Sequence, residues 1–433
     1  MELVRYPEVD ESLWQQRLPG GLTVAVVPRP GFRRKIAYFI TERGAIHRNF
    51  ILDGKPVTLP PGIAHYLEHQ LFDMPGRDIT GEFAALGADP NAFTGYDMTA
   101  YYFTCTEHFE ECLALLLEFV SCPRFTPESV RKEREIIGQE IDMNGDTPET
   151  VVYENLVSAM YREHPIREPI LGTRESIAAI TPELLACFHR ACYNPGNMML
   201  CVVGDVEPER VRDIALNKLP QVPPADCQPV PLPVEEMTCR QQLVTAHMEV
   251  SMPMFQLAFK AQPPDFGPEA ARQELIGGLA AEILFGESSE LYLRLYEAGI
   301  IDSSFGGGFE TVEGTGMLTA SGDSRDPEAI RDAILAQAEA LLEQGIPEEA
   351  FRRMKRSILG HRLRDLDSFD TVCFEVCAYH FSGFDYFRFP ELFHAIEPED
   401  VLEFIRQTVT GERCCLSVVY PLHKEKEESY ESQ

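Results

Sequence analysis

Two histidines and a glutamate crowd into "GIAHYLEHQL", residues 62–71, in a chain that contains 11 histidines in all. At 100° per residue, a helix from Gly62 to about Phe72 places Ile63, Ala64, Leu67 and Leu71 on one face. His65, Glu68, His69 and Phe72 fall together on the other. Imidazoles four residues apart on a helix have β-carbons about 5–6 Å apart, a span that one metal ion can bridge. Zinc accepts imidazole nitrogen at about 2.0–2.1 Å, and its catalytic sites take three protein ligands and keep a further position open. The competing reading, three polar residues on a solvated helix face, leaves Phe72 and the flanking apolar residues unexplained.

A third ligand is available in "RKEREIIGQEI", residues 131–141. This stretch follows a helix start at Thr126 and Pro127, an N-cap hydroxyl followed by a residue whose missing N–H costs nothing in the first turn. Glu133 and Glu140 are seven residues apart, so they share a face two turns, or about 10 Å, along the axis. Glu140 neighbours Ile136 and Ile137 and so borders the apolar side, which makes it the leading candidate beside His65 and His69.

The elements that must position these residues are written along the chain. Short β-rich runs, "LTVAVVP", "KIAYFIT", "TAYYFTC" and "MMLCVVG", alternate with helices opened by "FTPES", "DTPET" and "ITPEL". The proline-dense "LPQVPPADCQPVPLPVEE" interrupts both patterns near the midpoint and reads as an extended linker. The flanking halves are alike in order: "GIAHYLEHQLF" pairs with "GGLAAEILFG", and "NMMLCVVGDV" with "RCCLSVVYP". The expectation is an α+β chain of two homologous halves, each a mainly antiparallel sheet with helices packed on one face. Residues 1–218 form the half with the metal site, 219–240 the linker, 241–422 a second half without it, and 423–433 a charged tail.

Length and composition fit this plan. A chain of 433 residues exceeds what one core usually organises, and 44% hydrophobic with 25% charged residues is ordinary for a globular protein. The 69 acidic residues against 38 basic give a net charge of −31, which argues against nucleic acid and anionic lipid and for a neutral or basic peptide. The start lacks a secretory pattern and no run of eighteen apolar residues follows, so neither export nor a membrane span is expected. Twelve cysteines without a CxxC pair suit buried thiols in a reducing cytoplasm. "DMNGDTPE" lacks the glycine and glutamate of a calcium loop and reads as a helix cap, while "FGGGFETVEGTG" lacks a following GK[ST] and reads as strands and a turn.

Taken together, "HYLEHQLF", "NAFTGYDMTAYYF", "EREIIGQE" and "YNPGNMMLCVVGDV" resemble the inverted-motif zinc peptidases of the pitrilysin and insulinase family, and its processing-peptidase branch in particular. "SSELYLRLYEAGIIDSSF" points more narrowly to bacterial members named for association with elongation factor P modification. The resemblance implies the fold shared by LuxS and the processing peptidases. It also implies one zinc per chain on His65, His69 and Glu140, with Glu68 and Glu133 as catalytic residues: Glu68 the general base, Glu133 orienting the site from behind. Asn91, Ala92, Phe93 and Thr94 would take the backbone of a peptide substrate, with Phe93 lining a side-chain pocket. The function implied is a zinc-dependent endopeptidase or oligopeptidase working in a chamber between two halves.

One departure stands out. Active relatives carry an arginine and a tyrosine in the second half that donate to the substrate carbonyl. Here Tyr296 stands where the arginine is expected and Asp302 where the tyrosine is expected, with Arg294 out of register. This favours a dimer, either a homodimer or a pair with an inactive paralogue. It also opens the alternative of a weakly active or non-catalytic zinc-binding subunit in a processing or modification complex.

Overall fold

The structure is a computed structural model that describes residues 1–219 and 225–422; the charged tail and residues 220–224 of the expected linker lie outside the described residues. The chain begins with strands β1 (Glu2–Tyr6), β2 (Glu11–Arg17), β3 (Thr23–Pro28), β4 (Lys35–Thr41), β5 (Asn49–Leu52) and β6 (Lys55–Thr58). Helices α1 (Ile63–Phe72) and α2 (Ile79–Ala85) lead to β7 (Asp89–Thr94) and β8 (Thr99–Cys105). Then come α3 (Phe109–Ser121), α4 (Pro127–Gly145), α5 (Pro148–Met160), α6 (Arg174–Ala178), α7 (Pro182–Cys192), β9 (Met198–Gly204) and α8 (Pro208–Lys218). After β10 (Cys227–Pro229), the second half runs β11 (Leu243–Met248), β12 (Met254–Ala261), α9 (Pro268–Phe285), α10 (Glu290–Glu297), β13 (Gly306–Val312) and β14 (Thr315–Asp323). It closes with α11 (Pro327–Gln344), α12 (Glu348–Asp365), α13 (Phe369–Phe381), α14 (Phe389–His394), α15 (Pro398–Thr408) and β15 (Cys414–Pro421).

The duplication is visible in the sheets. The first has the order β1-β2-β3-β9-β4-β8-β7 and the second β11-β15-β12-β14-β13. Removing the β1–β2 hairpin leaves β3-β9-β4-β8-β7, which matches the second sheet strand for strand. In both, the first pair is parallel and every other pair antiparallel. The paired sequence runs occupy equivalent places: α1 corresponds to α9 and β9 to β15.

Each half lays its own helices on one face of its sheet, and the other face is covered by a helix lent from the opposite half. Helix α13 packs on β4 and β9 of the first sheet, while α5 packs on β11, β12 and β15 of the second. Val372, Cys373, Val376 and Cys377 of α13 thus join Val27, Tyr38, Cys201 and Val203 in one buried cluster. Leu156, Val157 and Met160 of α5 join Ala258, Met317 and Cys415 in another. Burial from both sides is why β9 can be apolar throughout, with all seven residues buried, instead of alternating with polar ones.

All three threonine-proline signals open helices, and in two of them the hydroxyl caps the first turn. The Thr126 hydroxyl accepts from the Ser129 N–H at 3.1 Å and Thr181 from Leu184 at 3.4 Å. Thr147 precedes α5 as expected, but its hydroxyl donates back to the Met143 carbonyl of α4 at 3.0 Å, because α4 ends directly before it. "FGGGFETVEGTG" forms β13, its turn and the start of β14.

The proline-dense segment is extended where it is described, yet it is bound along its length. Cys227–Pro229 pairs antiparallel with β5. The Glu235 carboxylate accepts from the backbone N–H groups of Arg162 at 2.9 Å and His164 at 2.7 Å, and from Lys260 Nζ at 3.1 Å. Lys260, only 2% exposed, also donates to the Glu236 carbonyl at 2.9 Å and lies 4.6 Å from the Tyr161 ring centroid. Burial would push the Glu235 carboxyl up, but the N–H groups of Glu163, His164 and Arg162 and the Lys260 ammonium outweigh it and hold it at about 2. A carboxyl depressed below its unfolded value near 4.5 stabilises the fold above that pH and loses the contribution as pH falls toward 2. Glu235→Ala strands a buried ammonium, so it should destabilise the chain by about 3 kcal/mol at neutral pH. The gap to wild type in thermal or urea unfolding should narrow below about pH 4.

Candidate metal centre

Helix α1 begins on a glycine for a physical reason. Gly62 has φ 87°, and a Cβ there would sit 2.5 Å from the Leu171 carbonyl oxygen, so a side chain meets both backbone strain and a clash. The close approach docks the start of α1 against residues 171–172. Along its length α1 packs on α4, where the Tyr66 hydroxyl donates to the Val130 carbonyl and Leu67 and Ile137 are fully buried. Neither face of α1 is solvated: Tyr66 and Gln70 are sealed, and His65 and Glu68 are buried. The polar face found in the sequence therefore looks into a recess. On α4, Ile137 is on the buried side while Ile136 is exposed, so Glu140 has one apolar neighbour in the core and not two.

His65, His69 and Glu140 each bring a ligand atom to a common point, all within 4.8 Å of one another. His65 Nε2 is 3.6 Å from Glu140 Oε1 and His69 Nε2 is 3.5 Å from Glu140 Oε2. An ion about 2.0–2.2 Å from each ligand in a tetrahedral site keeps the ligand atoms about 3.3–3.6 Å apart, so both histidine–glutamate spacings fit. Glu133, 4% exposed, accepts from His69 Nδ1–H at 2.9 Å. With Nδ1 engaged by Glu133, Nε2 is the nitrogen that faces Glu140, which is how an imidazole must be turned to hold a metal. Burial, then the neighbouring His69, pulls the His65 pKa down to about 3, so this imidazole is neutral and able to ligate. Burial pushes Glu140 up, with Glu133 adding to it and His69 opposing. For His69 burial acts downward, and the Glu133 hydrogen bond with the charges of Glu68, Glu133 and Glu140 more than reverses it. Three carboxylates around two imidazoles form a nest short of positive charge, which a divalent cation would relieve.

Glu68 lies on the same face of α1 and does not reach the other residues by hydrogen bonding. Its partner is Thr94, whose hydroxyl donates to Glu68 Oε2 at 2.6 Å. Burial raises the Glu68 carboxyl, while Thr94 and His69 draw it down and Glu140 adds to the rise. Thr94 ends β7, an edge strand of the first sheet that among the described residues pairs only with β8. Of the four residues expected to meet substrate, Ala92 packs with the cluster containing α1, and Thr94 touches Glu68. Phe93 points the other way, against Tyr102 and against Phe374 of α13, with ring centroids 6.5 and 5.9 Å away. The expected Phe93 pocket is thus on the opposite face of the sheet from His65 and Glu68, since successive side chains of a strand alternate. Asn91 accepts from the Ala92 N–H at 2.8 Å with its own side-chain oxygen. Glu133 is bonded to His69 Nδ1 and is 4% exposed, so it lies behind the imidazole and not at the open side of the group. The Glu68–Thr94 bond joins two stretches the sequence marks separately, and no spacing rule links them.

A duplicated α+β fold with a reversed His-x-x-Glu-His helix, and a glutamate from the helix packed on it, defines the inverted-motif metallopeptidase class. The profile of insulinase (peptidase family M16) matches residues 59–174, and that of the peptidase M16 inactive domain matches 179–358. The chain is 34% identical over 427 residues to the uncharacterized zinc protease YmfH of Bacillus subtilis, covering 96% of this chain and 99% of that one. The crystal structure of an M16-like peptidase from Alicyclobacillus acidocaldarius superposes with TM-score 0.91 at 31% identity, covering 95% and 99% of the two chains. A Helicobacter pylori protease, at 19% identity and TM-score 0.78 over 94% of this chain and 99% of that one, shares the fold. The chain belongs to the insulinase family, peptidase family M16. Among the described residues no helix is long and apolar enough to cross a membrane.

Because Glu133 sets the tautomer of His69, Glu133→Ala should weaken metal affinity about 10- to 100-fold while leaving every ligand in place. Competition with a chelator of known affinity measures this; unchanged affinity would remove Glu133 from the site.

Proposed function

We propose that this chain is a zinc-dependent endopeptidase or oligopeptidase that hydrolyses peptides or small unfolded proteins laid against β7. The observation that carries the reading is the meeting of His65, His69 and Glu140 beside Glu68, itself bonded to an outermost strand. The zinc-protease name of the Bacillus subtilis relative supports zinc as the ion, one per chain. Bound zinc supplies a Lewis acid for the scissile carbonyl and makes water acidic enough to attack at neutral pH. An extended peptide can add to the free edge of β7 through main-chain hydrogen bonds. Glu68 takes the proton of the attacking water and returns it to the leaving amine. Glu133 keeps His69 turned, and burial keeps His65 neutral. The net charge of −31 favours neutral or basic peptides over anionic polymers. All 12 cysteines are free thiols, as a reducing cytoplasm would keep them.

A second reading, a weakly active or non-catalytic subunit of a heterodimeric processing or modification complex, rests on the second half. Asp302 is engaged in its own turn, accepting from the Ser304 N–H at 2.7 Å. Tyr296 is exposed and stacks on Tyr292, with centroids 5.9 Å apart. An ionised Asp302 has no proton to donate to a substrate carbonyl. A missing transition-state donor costs about 10²- to 10³-fold in kcat. A second chain, identical or a paralogue without the histidine motif, is the proposed source.

Glu68→Gln should retain one zinc per chain by elemental analysis and lose about 10²- to 10⁴-fold in peptide hydrolysis. His65→Ala and His69→Ala should lose the zinc. Near-normal turnover in Glu68→Gln, or full zinc in both histidine variants, would refute the mechanism. Sedimentation should show a dimer, and adding a paralogue should raise kcat more than it changes KM. A monomer with full activity at all concentrations would rule the partner out.

A further inference from the structure

We infer that Thr94 is the positioning residue for the general base, selecting the Glu68 oxygen that carries the proton and tying the base to the strand that receives the peptide. The inference rests on the peptidase reading above. Its geometric core is the 2.6 Å hydrogen bond from Thr94 Oγ1 to Glu68 Oε2.

A carboxylate as enclosed as Glu68 needs donors, because an unpaired buried charge is costly. Helix α1 has none to give, since its interior N–H groups are bonded along the helix. Thr94 provides the donor from another element. Facing a carboxylate the hydroxyl donates, so while Glu68 is ionised Oε2 is taken up as its acceptor. Among the described residues Oε1 has no hydrogen-bond partner, and it is not among the sealed, unpartnered side-chain atoms. It is therefore the oxygen left free to meet a water. When Glu68 takes a proton from water, that proton goes onto Oε1, and the same atom returns it to the leaving amine.

The hydroxyl is itself held in place. Thr94 pairs with Thr99 across β7 and β8, and the Gly95 N–H donates to the Met98 carbonyl at 2.8 Å, closing the turn. Ala45 N–H donates to the Gly95 carbonyl at 3.0 Å and Ile46 N–H to the Tyr96 carbonyl at 2.9 Å. A Cβ on Gly44 would come within 2.5 Å of that Gly95 oxygen, so the two backbones interlock. The Thr99 hydroxyl donates to the Arg43 carbonyl at 2.9 Å. Loop 43–46 thus braces the end of β7 from outside the recess. A peptide added to β7 and the base that serves it then share one rigid reference. The register of the peptide on the strand fixes how far its scissile bond lies from Oε1.

The test uses the full-length, zinc-loaded chain and a fluorogenic peptide cleaved by the wild type. Thr94→Val removes the hydroxyl and keeps the shape; kcat should fall about 10-fold or more, with KM changed less than about 3-fold. Thr94→Ser, which restores the donor, should recover most of kcat. In the Glu68→Gln background Thr94→Val should cost nothing more, since it acts through Glu68. Zinc content and melting temperature should match wild type in each Thr94 variant. A full kcat in Thr94→Val, a loss confined to KM, or losses that multiply in the double variant would overturn the inference while the peptidase reading stands. If the wild type cleaves no peptide, that reading fails instead. Crystal structures of zinc-loaded wild type and Thr94→Val then decide the inference: a carboxyl that stays where it is without the hydroxyl overturns it, and one that swings away supports it.

Discussion

The close packing of α1 against α4 is the constraint on which the chemistry depends. Each helix alone offers an incomplete set: two imidazoles and a carboxylate on α1, two carboxylates on α4. Only when Tyr66 reaches Val130 and Ile137 sinks beside Leu67 do Glu133 and Glu140 come opposite the imidazoles. The two turns between Glu133 and Glu140 let one helix do two jobs, holding the back of His69 and facing the front of both rings. Gly62 makes this possible at the other end, since α1 enters through a left-handed residue pressed on the Leu171 carbonyl. A buried nest of carboxylates is unfavourable by itself and is sustained by the hydrophobic packing around it, the usual relation between a site and its scaffold.

Duplication explains how the scaffold can bear that cost. Both halves keep the same five-strand order, and each lends one helix to cover the other's sheet. The exchange removes two apolar sheet faces from water and makes each half part of the other's core. The Lys260–Glu235 pair works in the same sense, joining the proline-dense segment, the end of α5 and β12 at one buried point. Where α1 carries histidines, its counterpart α9 carries "GGLAAEILF", largely buried as core. Two copies meet the packing requirement, and one brings together the group that could hold a metal.

The meeting of Glu68 with the edge strand β7 follows from strand order. Because β7 is an edge strand, one side is unpaired among the described residues while the other is fixed by β8. Its alternation sends Ala92 and Thr94 toward α1 and Phe93 toward α13. One strand therefore belongs both to the recess and to the contact between the halves.

Much was legible in the sequence because it is governed by local rules. The periodicity of residues 62–72 put His65, Glu68 and His69 on one face whatever the surroundings, the threonine-proline starts placed α4 and α7, and apolar runs marked the strands. Family motifs then tied Glu133 and Glu140 to the same site. What the sequence could not decide is set by packing between distant segments. The face of β7 that carries Phe93 depends on which side α1 docks, and this sends Phe93 away from the expected pocket. The lending of α5 and α13 leaves no local signature, since an apolar helix face looks the same whichever sheet it covers. The bond from Thr94 to Glu68 spans 26 residues, and its length was fixed only when the sheet edge and the helix came to rest against each other.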